Sequence, residues 1–203
     1  MSQQGQIING STMGQMIYDI TKREDVNNIF EIGTWYGLGS TKCVIDGIID
    51  SKVNKNFISI ELYKEMFEIA KINLQPYSEY VKLLFGTIVD YSEMFWFNFE
   101  DLDPIHYDKK WYYNDLERIK VSENVLDQVQ EKIDLLILDG GEFSTYPEWL
   151  KLKSRSKFIF LDDTNALKCK RIREELLNDD NYKTLLDEPN DRNGFSVFEK
   201  IIN

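Results

Sequence analysis

Apolar positions along this chain change spacing several times, and each change marks the edge of an expected element. Met13, Met16, Ile17 and Ile20 recur at helical spacing with Ser11 or Thr12 as a cap, so a helix is expected before the first strand. That strand is expected at about Asn28–Ile32, and Val44, Ile45, Ile48 and Ile49 mark one side of the helix after it. Phe57–Glu61 reads as a second strand, and Met66, Ile69, Ala70 and Leu74 as a helix stopped before Pro76. Val81–Phe85 reads as a third strand, halted by Gly86. Ile133–Asp139 and Phe158–Asp162 are nearly unbroken apolar runs, the pattern of strands covered on both faces. A helix at Ala166–Leu177 follows, and then two strand-like segments, Tyr182–Leu186 and Phe195–Ile201, flank a turn containing Pro189, Asn190, Asp191 and Gly194.

Alternation of strands and helices predicts an α/β domain on a parallel sheet, to which the terminal hairpin adds an antiparallel strand. No repeat and no linker divides residues 1–203, so one domain is expected. One region breaks the alternation. Residues 91–132 form a long connection holding Phe95, Trp96, Phe97, Phe99, His106, Tyr107, Trp111, Tyr112 and Tyr113. Connections of this length carry function or helices of their own. A lid or wall over a substrate pocket and an extra helix packed on the sheet edge both remain open.

The most informative stretch is Ile29-Phe30-Glu31-Ile32-Gly33-Thr34-Trp35-Tyr36-Gly37-Leu38-Gly39-Ser40-Thr41, a strand ending in a tight turn that opens a helix. At such a turn the backbone is bare, and N–H groups at the helix start can meet an anionic group of a ligand. The spacing Gly-x-x-x-Gly-x-Gly departs from the Gly-x-Gly-x-x-Gly of dinucleotide folds, and Glu31 would repel a pyrophosphate but suits a cationic amino group. Both points speak against a nicotinamide-dependent oxidoreductase. Glu61 ends the second strand 22 residues beyond Gly39, the distance at which a carboxylate takes both hydroxyls of a ribose. Gly86-Thr87-Ile88 would then flank the base of the same nucleoside.

Composition narrows the partners. The 203 residues are 42% hydrophobic and 29% charged, ordinary values for a globular domain. A net charge of −11 argues against nucleic acid and against an anionic membrane surface. Cys43 and Cys169, the two cysteines, have no metal-type spacing and fall in expected helices, as small core residues do. The polar residues 1–6 lack the regions of a signal peptide, and no apolar run reaches the length of a membrane span. A reduced, cytoplasmic location is the expectation.

Together, Glu31-Ile32-Gly33-Thr34-Trp35-Tyr36-Gly37-Leu38-Gly39, Ile60-Glu61 and Gly86-Thr87 resemble the class I S-adenosylmethionine-dependent methyltransferases. Gly14-Gln15-Met16 upstream, with Leu138-Asp139 and Leu161-Asp162-Asp163 downstream, makes the set similar to the metal-dependent O-methyltransferases typified by catechol O-methyltransferase, with relatives acting on sugars and antibiotics. The resemblance spans most of the chain, apart from the aromatic insert and the last residues. It implies a Rossmann-like three-layer sandwich, with a seven-stranded, mostly parallel sheet ending in an antiparallel hairpin. It implies that Glu31, Gly33 and Gly37 line the methionine part of the cofactor, Glu61 the ribose, and Thr87 with Ile88 the adenine. Thr34, Trp35, Gly39, Ser40, Leu62, Gly86 and Asp139 complete that cofactor-binding set.

Asp139, Asp162 and Asp163 fall where this family places its magnesium ligands. The residues agree, since Asp139 and Asp162 end strands expected to be neighbours, about 4.8 Å apart. Carboxylates so close repel unless a cation or proton intervenes, and hard oxygen ligands favour Mg²⁺ or Ca²⁺. The alternative is that Asp163 or Thr164 caps the helix from Ala166, with no metal. The family carries Lys or His three positions after the first aspartate, whereas this chain reads Asp139-Gly140-Gly141-Glu142. Glu142 could serve as base if its pKa is raised, bind the metal instead, or sit exposed without a role. The single histidine, His106, is the other candidate base.

The expected reaction is methyl transfer to a hydroxyl of a small-molecule or sugar acceptor, with Glu142 and Asp139 at the reacting end and Mg²⁺ assisting. A second copy of the chain is left open as a partner. Two other readings share the fold: a protein that binds S-adenosylmethionine without turnover, and a hydroxylase-like relative.

Overall fold

In the computed structural model, which describes residues 7–102 and 106–201, the strands are β1 (Asn28–Ile32), β2 (Asn56–Glu61), β3 (Lys82–Phe85), β4 (Ile133–Leu138), β5 (Ser156–Asp162), β6 (Tyr182–Glu188) and β7 (Phe195–Lys200). The helices are α1 (Thr12–Thr21), α2 (Ser40–Ser51), α3 (Lys64–Asn73), α4 (Lys109–Val121), α5 (Thr145–Leu152) and α6 (Leu167–Leu177). The strands form one sheet in the order β3-β2-β1-β4-β5-β7-β6. Neighbours are parallel from β3 to β5, while β7 runs antiparallel to both β5 and β6. The chain leaves β1 toward β2 on one side and returns later to place β4 on the other. Between β1 and β4, therefore, successive crossovers diverge and open a crevice at the carboxyl ends of the strands.

Side-chain alternation along the strands divides the core into two layers. Ile29, Phe57, Leu135, Ile137, Phe158, Phe160 and Val197 face one way, where Met13, Ile17, Cys43, Val44, Ile45 and Ile48 of α1 and α2 cover them. Phe30, Ile32, Ile58, Ile60, Leu136, Leu138 and Leu161 face the other, under Leu116 and Ile119 of α4, Trp149 of α5 and Ile172 of α6. Ser11 caps α1 by accepting from the Gly14 N–H. The stripe on α2 runs through Cys43, Val44, Ile45 and Ile48, and Ile49, which sequence spacing placed with them, is 40% exposed. Both cysteines are buried and free. Among the described residues no helix is long and apolar enough to cross a membrane.

Two helices were not legible as periodic apolar stripes. α5 is a single short segment buried nearly all round, from Thr145 to Leu152, so no polar face reveals its period. α4 lies in the aromatic insert, where Asp108 caps it by accepting from the Lys110 N–H. The insert packs its rings on Phe143, in the connection from β4 to α5: Phe97 stacks on it at 5.8 Å, Tyr112 meets the same ring edge-on at 5.2 Å, and Trp96 Nε1 donates to the Phe143 carbonyl.

Candidate active site

At the carboxyl ends of β1, β2, β4 and β5 lies a cavity of about 670 Å³, inside the range that holds small molecules and cofactors. Its floor is the turn from β1 to α2. The Gly33 and Thr34 N–H groups both donate to the Ile60 carbonyl, at 3.0 and 3.2 Å, which lays the turn across the end of β2. Gly33 has φ +97°, and a Cβ there would sit 2.0 Å from the Asp139 carbonyl oxygen. Only glycine meets both conditions. Trp35 follows at φ +52°, a left-handed conformation that an L-residue keeps only when its surroundings hold it. What holds it is Glu61, whose Oε2 accepts the Trp35 N–H at 2.7 Å while Oε1 accepts the Tyr63 N–H at 2.8 Å. The Trp35 indole meets Tyr36 and Tyr63 edge-on, at 5.2 and 6.5 Å, at the lip of the cavity.

Of the residues expected to hold a cofactor, Gly33, Thr34, Trp35, Gly39, Ser40, Glu61, Leu62, Gly86 and Asp139 line this cavity. Glu31 does not. Alternation along β1 turns it toward α2, where it accepts from Ser40 Oγ, Thr41 Oγ1 and Ser59 Oγ, each at 2.6 Å. Fully buried and outside the cavity lining, Glu31 does not face a ligand amino group as expected, and it pins the start of α2 beneath the turn instead. Gly37 also stands away from the cavity and packs on Leu74, whose side chain would lie 2.7 Å from an added Cβ. Thr87 and Ile88 are buried beneath the rim, where the Thr87 backbone pairs with Glu123 and Val125. Gly86 alone of that trio reaches the space.

On the opposite wall the parallel register sets Leu138 beside Leu161, and so brings Asp139 against Asp162 and Asp163. One carboxylate oxygen from each lies within 4.8 Å of the others. Neither Asp163 nor Thr164 caps α6, which opens on Ala166 without a side-chain cap. Asp163, at φ +54°, instead turns its carboxylate to Lys168. The Lys168 ammonium lies 2.8 Å from Asp139 Oδ1 and 2.7 Å from Asp163 Oδ2, and Arg192 donates to Asp162 Oδ1. Burial opposes charge on Lys168, but Asp139, Asp163 and Asp162 outweigh it and push its pKa well above the usual lysine value. Burial and the charge of Asp139 raise Asp162. A divalent ion needs these same oxygens, so as arranged the cluster fits the lysine it holds and not the expected Mg²⁺. Glu142 lines the cavity and accepts the Lys168 N–H at 3.1 Å, with burial raising its pKa. His106 is exposed and not among the lining residues.

Among the site residues that escaped sequence reasoning are Lys168, Arg192, Tyr63 and Glu148. Tyr63 Oη donates to Asp115 Oδ1 at 2.8 Å under the Arg118 guanidinium, which ties the cavity wall to the aromatic insert. None of the insert's described residues lines the cavity itself. Glu148, from the unanticipated α5, is buried at the cavity floor with Oε2 unpartnered among the described residues. Burial, with the charges of Asp115 and Glu61 adding to it, pushes its pKa to about 8. Burial also raises Glu31 and Glu61 to about 7.

These shifts have one sign. Each group keeps its proton longer in the folded state than in the unfolded chain, so unfolding releases protons between the two pKa values. Stability is therefore expected to fall as pH rises from about 4.5 to about 8. Urea denaturation at pH 5, 6, 7 and 8 measures it. Glu148→Gln, neutral at every pH, should be the more stable protein at pH 8 by on the order of 1 kcal/mol and show a shallower slope. A wild type that gains stability across this range would contradict the assignment.

No protein-family model matches the chain, and no curated protein matches its sequence. Solved structures do match its fold. The SAH-bound methyltransferase PaMTH1 of Podospora anserina superposes with a TM-score of 0.58 at 15% identity, over 92% of this chain and 77% of that one. A putative caffeoyl-CoA O-methyltransferase from Staphylococcus aureus gives 0.60 at 16% identity, over 92% and 82%. The O-methyltransferase from Bacillus cereus in complex with SAH gives 0.56 at 14%, over 94% and 81%. Identities this low speak to architecture alone. The chain has the fold of the class I S-adenosylmethionine-dependent methyltransferases.

Proposed function

We propose that the protein binds S-adenosylmethionine in this cavity and transfers its methyl group to a hydroxyl of a small-molecule or sugar acceptor. The observation that carries the reading is the bare backbone at Gly33, lying between Glu61 at the end of β2 and Asp139 at the end of β4, within one space of cofactor size that Glu142 also lines. After taking one backbone N–H each, the two Glu61 oxygens keep lone pairs for two ribose hydroxyls. Leu62, Tyr63 and Gly86 border the place of the base, and the Gly33-Thr34 and Gly39-Ser40 backbone borders the methionine part. The acidic wall favours a sulfonium over an anion.

Bound there, S-adenosylmethionine would supply the methyl group from its sulfonium and leave as a neutral thioether, and Glu142 would take the proton that the acceptor hydroxyl gives up. A carboxylate whose pKa is raised by burial is suited to that proton transfer. A net charge of −11 favours a neutral or cationic acceptor and disfavours nucleic acid and anionic membranes. Free Cys43 and Cys169 accord with a reduced, cytoplasmic setting.

Calorimetry tests the binding limb, with one S-adenosylmethionine per chain and no heat from reduced nicotinamide as the expected result. Transfer of a tritiated methyl group to a panel of phenols and sugars tests the reaction. Glu142→Gln should lower kcat by roughly a hundredfold with unchanged cofactor affinity. No heat with S-adenosylmethionine would sink the reading. Binding without transfer to any acceptor would leave a cofactor-sensing protein in its place.

A further inference from the structure

The three aspartates at the cavity wall already face protein cations, and the manner in which those cations are held is informative. Lys168 is 5% exposed, with its ammonium within 2.8 Å of both Asp139 and Asp163. Its root is fixed as well, because its backbone N–H is bonded to Glu142 Oε1 at 3.1 Å in the first turn of α6. The loop that carries Asp163 is clamped to the turn that carries Arg192: the Thr164 and Asn165 N–H groups donate to the Gly194 and Asn193 carbonyls, each at 3.0 Å. Arg192, itself in a left-handed conformation, then reaches Asp162. Two cations thus meet three carboxylates, which leaves one negative charge where a bare triad would carry three.

A divalent ion at this place would lie a few ångströms from a buried ammonium. Charges of the same sign so close, away from water, repel strongly. The ammonium would have to leave, yet its stem is enclosed and its backbone is tied.

We propose that Lys168 is the resident cation of this cavity, seated where the related fold would place a divalent ion, and that the protein works without a metal. One consequence rests on the methyl-transfer reading above. An ammonium has three N–H donors, and two are spent on Asp139 and Asp163, so one remains for the acceptor. A metal with open positions grips two vicinal oxygens, whereas a single N–H orients one. The acceptor is therefore gripped through one hydroxyl, of a phenol, a lone alcohol or a sugar, and a vicinal second oxygen is not required.

Manganese titration followed by electron paramagnetic resonance tests the seat of Lys168 without reference to catalysis. The wild type is expected to show no saturable Mn²⁺ binding below about 1 mM. Lys168→Ala, with the aspartates freed, should bind one Mn²⁺ at least tenfold more tightly, regain thermal stability when Mn²⁺ is added, and lose both effects when combined with Asp139→Asn. One Mn²⁺ bound to the wild type at micromolar Kd overturns the proposal, as does a folded Lys168→Ala that gains no affinity. Should Lys168→Ala fail to fold, the wild-type titration decides alone. In EDTA, methyl transfer to phenol is expected to be undiminished and no slower than transfer to catechol. Loss of transfer in EDTA, or a tenfold preference for catechol, overturns the grip through one hydroxyl. Absence of transfer under every condition fails the methyl-transfer reading, while the manganese result stands on its own.

Discussion

Replacing Glu61 by alanine is expected to weaken S-adenosylmethionine binding by roughly 30- to 100-fold, about 2–3 kcal/mol, while the protein stays folded. Two losses combine. The ribose hydroxyls lose a charged acceptor, and the Trp35 and Tyr63 N–H groups lose the partners that hold the lip of the cavity in shape. Glu61→Gln separates these losses, since it keeps one acceptor oxygen without the charge, and an intermediate affinity is expected. The carboxyl carries a second signature. Burial raises its pKa to about 7, and hydroxyl donors favour the ionised form, so affinity should rise from pH 6 to pH 8. Glu61→Gln should remove that slope. Calorimetry at several pH values measures both. An alanine variant that binds within threefold of wild type would place the sugar elsewhere.

Gly33→Ala should be the most destructive single change in the molecule, costing at least ~3 kcal/mol of stability. Alanine at φ +97° is strained by itself, and its Cβ would stand 2.0 Å from the Asp139 carbonyl oxygen. Relief would require β1 and β4 to separate where the Asp139 N–H is bonded to the Ile32 carbonyl at 3.0 Å. Gly10→Ala is the control. It has a similar φ of +94° with nothing within 4 Å of the added atom, so strain acts there without a clash. A cost of only ~1 kcal/mol is expected for it. Urea denaturation of both variants measures the difference, and equal losses would show that the close approach of the two strand ends carries no energy.

Much of the architecture was legible because local chemistry and global fold agree. Ile29–Ile32 and Ile133–Leu138 are buried on both faces, and apolar but for Glu31 and Asp134, since helices cover both faces of the sheet. The positions of Gly33, Glu61 and Asp139 followed from a rule of topology, that ligand groups collect at the carboxyl ends of strands where crossovers diverge. The short α5 was not legible, because burial on every side erases the periodicity by which a helix is read. α4 was hidden by the aromatic density of the insert, which could equally have formed a lid.

The chain by itself therefore determined the fold class, the order of its main elements and the edge of the sheet where chemistry gathers. These depend on spacings of two or 3.6 residues and on glycines whose reason is local. Which way a side chain on that edge points, and which distant residue meets it, was decided in three dimensions. Glu31 lies two residues before Gly33, yet strand alternation turns it beneath the turn to Ser40, Thr41 and Ser59. Lys168 and Arg192 lie 29 and 30 residues from Asp139 and Asp162, and only the docking of α6 and the β6–β7 turn brings their charges to those carboxylates. Coulomb energy depends on distance through space, and separation along the chain carries almost no information about it.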